Sequence, residues 1–312
     1  MSRAGAAPSA GGGAAVVSAR ANPALVLWRF SRPHTVIGTA LSVIGLWAIA
    51  ATTLDAAPPL WDLAATLVAG LTVNIAIVGV NQLTDVEIDR VNKPFLPIAA
   101  GELSLRAATV IVVVCCVVPL GLALTQGVVE TGAVAAGLAV GALYSLPPFR
   151  LKRFPVAASL CISGVRSVVV NLGVYWHFAE RIDPPVIALC LFVLPFSLAI
   201  AILKDVPDIE GDRRYSIRTF TVRLGPERVF RMGLAALLIA YAGMVVVAPP
   251  LLLDYANPLV LASGHVLAAA LLLYWAKSAN PRYHTEFTRF YMRVWVLFFL
   301  EYLLVPGACL AN

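Results

Sequence analysis

The sequence predicts an all-α, polytopic membrane protein: nine transmembrane helices, arranged as two parallel four-helix halves plus a ninth helix around a central cavity. Composition, the placement of basic residues and an internal repeat predict this fold. Of 312 residues, 60% are hydrophobic and only 13% are charged, against about 45–50% and about 25% in soluble domains. Because no soluble fold of this size could bury so much apolar surface, we expect the chain to fold in lipid.

Nine apolar stretches are long enough, at about 20 residues, to cross a bilayer as helices. They lie at 34–53, 63–83, 107–125, 128–146, 156–177, 185–203, 229–249, 257–276 and 291–310. Residues 1–28 are predicted as a disordered cytoplasmic tail, and residues 29–312 as a single membrane domain. The tail shows no basic segment joined to an apolar core, so no cleaved signal sequence is predicted.

The basic residues predict the orientation of the nine spans. If the tail and every second loop share one side, that side holds 21 of the 23 Lys and Arg residues, while the opposite side holds only Arg181. Basic residues mark the cytoplasmic side, so we expect a cytoplasmic N-terminus. This topology also explains the net charge of +6 without nucleic acid as a partner. Five cysteines without a C-x-x-C pair exclude a secreted disulfide scaffold.

One six-residue motif occurs twice. The loop after the second predicted helix contains D-V-E-I-D-R at 85–90, and the loop after the sixth contains D-I-E-G-D-R at 208–213. Both loops follow an even-numbered helix, so both are expected at the cytoplasmic face, and four helices separate them. The sequence therefore predicts two parallel repeats that share a site at their interface.

The spacing of the repeated acids predicts a metal site. Asn81, Asp85 and Asp89 are four residues apart, which keeps them on one face of a helix, and Asp208 and Asp212 have the same spacing. Facing carboxylates repel in a low dielectric, so a cation is expected between them. Oxygen ligands favour Mg²⁺, which commonly bridges to phosphate oxygens. Lys and Arg beside both motifs suit a bound diphosphate.

Three other interpretations of the acids fit the sequence less well. Solvated loop residues would not need the same motif at two equivalent positions. A Ca²⁺ loop at 208–212 would lack the twelve-residue ligand order of an EF-hand. A transporter would carry its acids near the midplane in broken helices, whereas these lie at the membrane edge.

The motifs, the nine-helix pattern and four longer stretches resemble the UbiA superfamily of membrane prenyltransferases, and within it the homogentisate phytyl, geranylgeranyl and solanesyl transferases. The four stretches are Trp28–Thr35, Asn81–Glu102, Arg166–Gly173 and Lys204–Asp212. The resemblance implies Mg²⁺-dependent transfer of a prenyl group from a polyprenyl diphosphate to an aromatic acceptor, with homogentisate expected. A hydroxybenzoate, a naphthoate or a chlorophyllide stays open as acceptor. We expect a bacterial cell membrane, with the active site facing the cytoplasm.

The resemblance also implies roles for individual residues. Allylic C–O ionisation would give a cation that the aromatic ring attacks, with loss of CO₂ from homogentisate. The catalytic set is then Asn81, Asp85, Asp89, Asp205, Asp208 and Asp212. Mg²⁺ would be held by Asp85, Asp89, Asp208 and Asp212. The candidates for contact with the diphosphate are Arg90, Lys93, Lys152, Lys204 and Arg213.

Three polar residues within the predicted spans are expected to face the cavity. Asn74 precedes Asn81 by seven residues and therefore shares its helix face, and Asn171 is interpreted in the same way. Arg166 lies about 16 Å along the fifth helix. Its charge contacts either the acceptor's carboxylate or the motif acids, or it forms a structural ion pair with Glu301.

Overall fold

A computed structural model describes residues 22–312. Within this range the chain is helical, without strands, and nine helices are long and apolar enough to cross a membrane, which confirms the predicted number. They are α1 (Pro33–Thr53), α2 (Leu60–Thr84), α3 (Leu105–Gln126), α4 (Val128–Ser145), α5 (Pro155–Ala179), α6 (Pro184–Leu203), α7 (Pro226–Leu251), α8 (Pro258–Lys277) and α9 (His284–Leu310).

Short helices lie before and between the spanning ones, and two spans change their helical type. The short helices are Pro23–Phe30, Val86–Asn92, Ile209–Arg214 and Phe220–Leu224, with a 3₁₀ turn at Leu151–Arg153. A π-helical stretch interrupts α5 at Val165–Val170 and α7 at Gly243–Val247. Such stretches are frequent at functional sites, and the one in α5 contains Arg166.

The predicted tail extends too far. Its residues 1–21 lie outside the described residues, but the helix Pro23–Phe30 overlaps its end. The side chain of Asn22 accepts a hydrogen bond from the Ala24 N–H (3.0 Å) and caps this helix. Val26 and Phe30 are buried, so packing of apolar side chains orders a segment that composition alone assigned to the tail.

The helix α9 begins at His284, well before the predicted 291. Phe287 and Phe290 are buried among their neighbours, whereas the polar residues between them obscured the apolar pattern. Arg293 lies inside α9 and stacks on the Trp275 ring, with 5.4 Å from its guanidinium carbon to the ring centroid.

Six spanning helices surround a cavity. α1 packs on α2 and α9, α4 on α2 and α5, and α6 on α5 and α9. Outside this ring, α3 packs against α2 and α4, α7 against α6, and α8 against α9. The two repeated motifs follow α2 and α6 and meet at one end of the bundle, which we call the motif end. The equivalence of α1–α4 and α5–α8 as two halves stays a prediction.

A seam of small residues joins α1 to α9. A β-carbon at Gly45 would lie 2.9 Å from the Tyr302 carbonyl oxygen, and one at Gly38 would lie 3.3 Å from the Trp295 ring. Close approach of backbones through small residues is a usual way for membrane helices to associate. The seam closes the ring between the first and the last spanning helices.

Candidate active site

The first motif lies at a break between two helices. α2 ends at Thr84 and the short helix Val86–Asn92 begins two residues later, with Asp85 at the junction (φ −118°, ψ 20°). Asn81, Asp85 and Asp89 therefore do not share one continuous helix face, and that expectation was wrong. The four-residue spacing could not reveal the break, because the partners of the Asp85 carboxylate lie far away in the sequence.

The second motif follows a break that the sequence does reveal. α6 ends at Leu203, Pro207 lies in the turn, and Asp208 directly precedes the short helix Ile209–Arg214. Proline lacks an N–H and crowds the preceding turn, which favours a helix end at this point. Asp208 thus belongs to a new helical turn.

The two short motif helices pack against each other. The Gly211 N–H donates a hydrogen bond to the Asn92 side-chain oxygen (2.9 Å), and Lys93 forms an ion pair with Asp208. A side chain at position 211 would overlap the Asn92 amide. These contacts hold the two motifs side by side at the motif end.

Basic residues pair with the motif acids. Asp85 accepts from Arg150 (3.0 Å) and from Lys152 (2.7 Å). Lys204 pairs with Asp205 (3.2 Å) and also donates to the Tyr144 hydroxyl (3.2 Å). The nearby carboxylate of Asp205, together with Tyr144, holds the pKa of Lys204 well above its ordinary value against the effect of burial.

Asp89 and Asp212 are the least compensated acids. Each is 6% exposed, and one carboxylate oxygen of each is buried without a hydrogen-bond partner among residues 22–312. Burial raises the pKa of Asp89 to about 6. Burial, reinforced by the charges of Asp205 and Asp208, raises the pKa of Asp212 to about 7. At these two positions, basic side chains therefore do not fully neutralise the carboxylates of the motif end.

The donor set suits a hard divalent cation. Its ligands would all be carboxylate or amide oxygens, which Mg²⁺ prefers while retaining some of its waters. In the part of the chain that the structure describes, no three acidic, histidine or cysteine side chains already converge as a metal cluster. Lys93 and Lys152 neutralise part of the acidic charge instead.

The predicted diphosphate ligands divide into two groups. Lys93, Lys152 and Lys204 each contact a motif acid. Arg90 is exposed and pairs with Glu87 (2.6 Å), and Arg213 is exposed. The two arginines thus lie outside the cluster that the three lysines form.

Sequence reasoning missed two arginines at this site. Arg150 contacts Asp85, and Arg32 lines the cavity in a left-handed backbone conformation (φ 54°) just before α1. Both arginines lie close to residues that the sequence analysis already singles out. Arg32 lies within the stretch Trp28–Thr35, and Arg150 precedes Lys152 by two residues.

An apolar cavity of about 300 Å³ runs through the bundle from the motif end. Asn81 and Lys204 line it at that end, and Thr66 and Glu130 line it at the other. Thr66 and Asn81 lie fifteen positions apart in the sequence, which corresponds to about 22 Å along α2. Its walls between these ends include Gly70, Val73, Ile77, Val134, Gly137 and Gly141.

Arg166 places a fixed positive charge in the cavity wall. Its guanidinium carbon lies 4.8 Å from the Trp295 ring centroid and 5.2 Å from that of Phe298. Its Nη1 is buried without a hydrogen-bond partner among the described residues. Glu301 does not contact it but pairs with His265 (3.0 Å), so the alternative of an Arg166–Glu301 ion pair was wrong.

The two asparagines differ in their placement. Asn74 lines the cavity and donates to the Thr35 hydroxyl (3.0 Å). Asn171 is fully buried and accepts a hydrogen bond from the Tyr302 hydroxyl (2.8 Å). Since Asn171 faces α9 and does not line the cavity, its predicted position was wrong.

The fold and the site together define an integral membrane protein with an apolar cavity, at one end of which Lys204 pairs with Asp205 next to the two motifs. The sequence model of the UbiA prenyltransferase family matches residues 40–297. The chain belongs to the UbiA prenyltransferase family.

The sequences of known relatives align with nearly the whole of this chain. The homogentisate phytyltransferase of Synechocystis sp. is 43% identical over 298 residues, which cover 90% of this chain and 94% of the relative. Homogentisate phytyltransferase 1, chloroplastic, of Arabidopsis thaliana is 39% identical, over 89% of this chain and 74% of that protein. A solved UbiA homolog from Archaeoglobus fulgidus, bound to GPP and Mg²⁺, has a TM-score of 0.65 at 19% identity. It covers 90% of this chain and 99% of its own, and it shows the same fold.

Proposed function

We propose that this prenyltransferase transfers a prenyl group from a prenyl diphosphate to homogentisate, with Mg²⁺ as its cofactor. Identity of 43% to a homogentisate phytyltransferase, over 94% of that relative, supports the proposal. The observation that carries it is the layout of the cavity. Lys204 and Arg32 near the motif end, an apolar body and the guanidinium of Arg166 line one continuous space.

The diphosphate head binds at the motif end. Lys93, Lys152 and Lys204 supply the positive charge that its oxygens need. Asp85, Asp89, Asp208 and Asp212 would hold Mg²⁺, with Asn81 and Asp205 next to them. When bound, the metal neutralises charge on the leaving diphosphate.

The cavity protects the reacting carbon from water. The bond between the allylic carbon and the diphosphate oxygen breaks, and the diphosphate leaves with the electron pair. Tyr144 lines the motif end of the cavity, where an aromatic face stabilises a cation. The apolar walls beyond it exclude water that would otherwise capture the allylic cation.

The acceptor is oriented by Arg166. An anionic acid in a dry cavity needs a fixed cation, and guanidinium binds carboxylate in a bidentate manner. The ring carbon forms the new C–C bond, and CO₂ leaves from the side chain. The proton that the ring loses balances the proton that the side-chain carbon takes up.

We further infer that the motif end faces the cytoplasm of a bacterial cell. The 21-to-1 distribution of basic residues supports this orientation. Delivery of water-soluble Mg²⁺ and homogentisate to the motif end is consistent with it.

One assay tests the proposed function. Purified protein is incubated with Mg²⁺, a panel of prenyl diphosphates and a panel of aromatic acids, and the products are identified by mass spectrometry. We expect homogentisate to be prenylated with loss of CO₂. Prenylation of a hydroxybenzoate or a naphthoate, with homogentisate left unchanged, would overturn the acceptor assignment.

A further inference from the structure

The end of the cavity opposite the motifs is polar. Glu130, in the first turn of α4, is 2% exposed, and Thr66, on α2, is 1% exposed. Both line the cavity, and the Thr66 hydroxyl lies beside the Glu130 carboxyl. We call these two residues the polar floor. The proposed reaction gives them no role.

Among the described residues, the polar floor finds no hydrogen-bond partner beyond its own two members. Glu130 Oε2 and Thr66 Oγ1 are both buried without a hydrogen-bond partner among residues 22–312. Around them the cavity wall is apolar, with Gly70, Ala133 and Val134. Buried polar groups without partners are costly, so they generally receive hydrogen bonds from water or a ligand.

We propose that the polar floor sets the longest prenyl tail that the cavity accepts, an inference that rests on the proposed function for the identity of the ligand. A tail that ends above the floor leaves room for water to bridge Glu130 and Thr66. A longer tail displaces that water and leaves both groups against hydrocarbon, which costs free energy. The polar floor therefore weakens the binding of longer donors and leaves the binding of shorter donors unaffected.

A purely structural role accounts for only part of this arrangement. A carboxylate in the first turn of α4 interacts favourably with the helix dipole, which would explain Glu130. It does not explain why α2 presents a buried hydroxyl to the Glu130 carboxyl at the same point. The two roles also differ in what Thr66→Val does, because that substitution leaves the first turn of α4 unchanged.

The test measures donor binding in the absence of an acceptor. The full chain in lipid nanodiscs, with Mg²⁺, is titrated with geranyl, farnesyl, geranylgeranyl and solanesyl diphosphates. We expect wild type to bind solanesyl diphosphate more weakly than geranylgeranyl diphosphate. Thr66→Val and Glu130→Gln should each raise the relative affinity for the solanesyl donor, and Thr66→Val/Glu130→Leu should raise it about tenfold.

Thr72→Val is the matched control. Thr72 lies on the same helix, bonds to its own backbone (2.7 Å to the Val68 oxygen) and is not part of the cavity wall, so this variant should keep the wild-type ratio. An unchanged ratio in folded Thr66→Val would overturn the inference, even if Glu130→Leu failed to fold. Donor binding without homogentisate turnover would overturn the proposed function alone. Absence of any diphosphate binding would overturn both.

Discussion

At the residue scale, the site depends on carboxylates that basic residues keep in place. Asp85 is contacted by Arg150 and Lys152, and we assign it to the metal together with Asp208. Asp85→Asn keeps the shape of the side chain and removes its charge. We expect kcat/KM to fall at least about 100-fold, the effect of losing one group that stabilises developing charge.

The control for this prediction is Glu210→Gln, which neutralises an exposed acid inside the second motif and should leave turnover unchanged. Excess EDTA should abolish wild-type activity in the same prenylation assay. Full activity in EDTA would contradict the metal assignment.

Arg166 gives a second prediction at this scale. Its guanidinium packs against the rings of Trp295 and Phe298, with one nitrogen unpartnered in the described structure. Arg166→Gln should raise the KM for homogentisate, or lower kcat/KM, by roughly tenfold or more, because an anion in the cavity loses its charge partner. Donor affinity, measured by titration without acceptor, should change little. Unaltered homogentisate kinetics in the folded variant would rule out the role.

Sequence spacing located the motif acids but could not identify their partners. The pairing of Asp85 with Arg150 joins residues 65 apart, and no local pattern reveals such a contact. The placement of Asn171 was wrong for the same reason, since its partner, Tyr302, is 131 residues away. A polar residue within a predicted span is visible from sequence, but the side of the helix on which it finds a partner depends on packing.

At the scale of secondary-structure elements, the contact between the two short motif helices holds the two motifs side by side. The Gly211 N–H donates a hydrogen bond to the Asn92 side chain, and a β-carbon added at position 211 would overlap that amide. Gly211→Ala should push the helices apart and weaken binding of prenyl diphosphate with Mg²⁺ severalfold, since about 1 kcal/mol is lost with the hydrogen bond.

Gly121→Ala in α3 serves as the comparison, because nothing lies within 4 Å of a β-carbon there. This variant should bind the donor as wild type does. Equal donor affinities for the two alanine variants, measured by the same titration, would show that the helix contact does not organise the site.

The two helix breaks also show what local sequence can and cannot predict. Pro207 indicates the end of α6, because proline disfavours the next helical turn. Nothing at Asp85 forbids a continuous helix, so the break there follows from tertiary contacts. The early start of α9 is a third case, in which buried phenylalanines are separated by polar residues that mask the span.

At the scale of the whole molecule, the orientation in the bilayer is directly testable. Ala100→Cys and Arg214→Cys place exposed thiols beside the two motifs, and Asp254→Cys places one between α7 and α8. A membrane-impermeant maleimide should label the first two only from the cytoplasmic side and the third only from the opposite side. Labelling of the two motif positions from different sides would overturn the shared site.

The stability of the protein should depend on pH and on Mg²⁺. Asp89 and Asp212 have raised pKa values of about 6 and about 7, against 3.8 ordinarily. The folded state therefore retains protons that the unfolded chain releases, and this contribution to stability is complete at low pH and lost as pH rises through about 6–7. In EDTA, Tm should fall between pH about 4 and about 7, and Mg²⁺ should oppose the fall.

Thermal unfolding in detergent, with and without Mg²⁺, measures both effects. Asp89→Asn/Asp212→Asn should flatten the dependence on pH, because the two titrating groups are gone. A metal-free Tm that rises across the same range would contradict the charge balance described for the motif end.

Much of the overall architecture could be predicted from the composition and from the lengths of the apolar stretches. Apolar length gives the nine spans, and lipid leaves the backbone no alternative to helices. The order in which helices surround the cavity was not accessible, because contacts such as those between α1 and α9 join opposite ends of the chain. The polar floor was also missed, since Glu130 at the start of a predicted span looks like an ordinary interfacial acid.

The seam between α1 and α9 has a consequence for biogenesis. The N-terminal helices are synthesised first. The small-residue face of α1 therefore has no α9 to pack against until the last span has been inserted into the bilayer. Only then do Trp295 and Phe298 complete the wall around Arg166. During synthesis the nascent chain therefore lacks a sealed cavity, and a translocation intermediate arrested before α9 would be a lipid-embedded but inactive precursor.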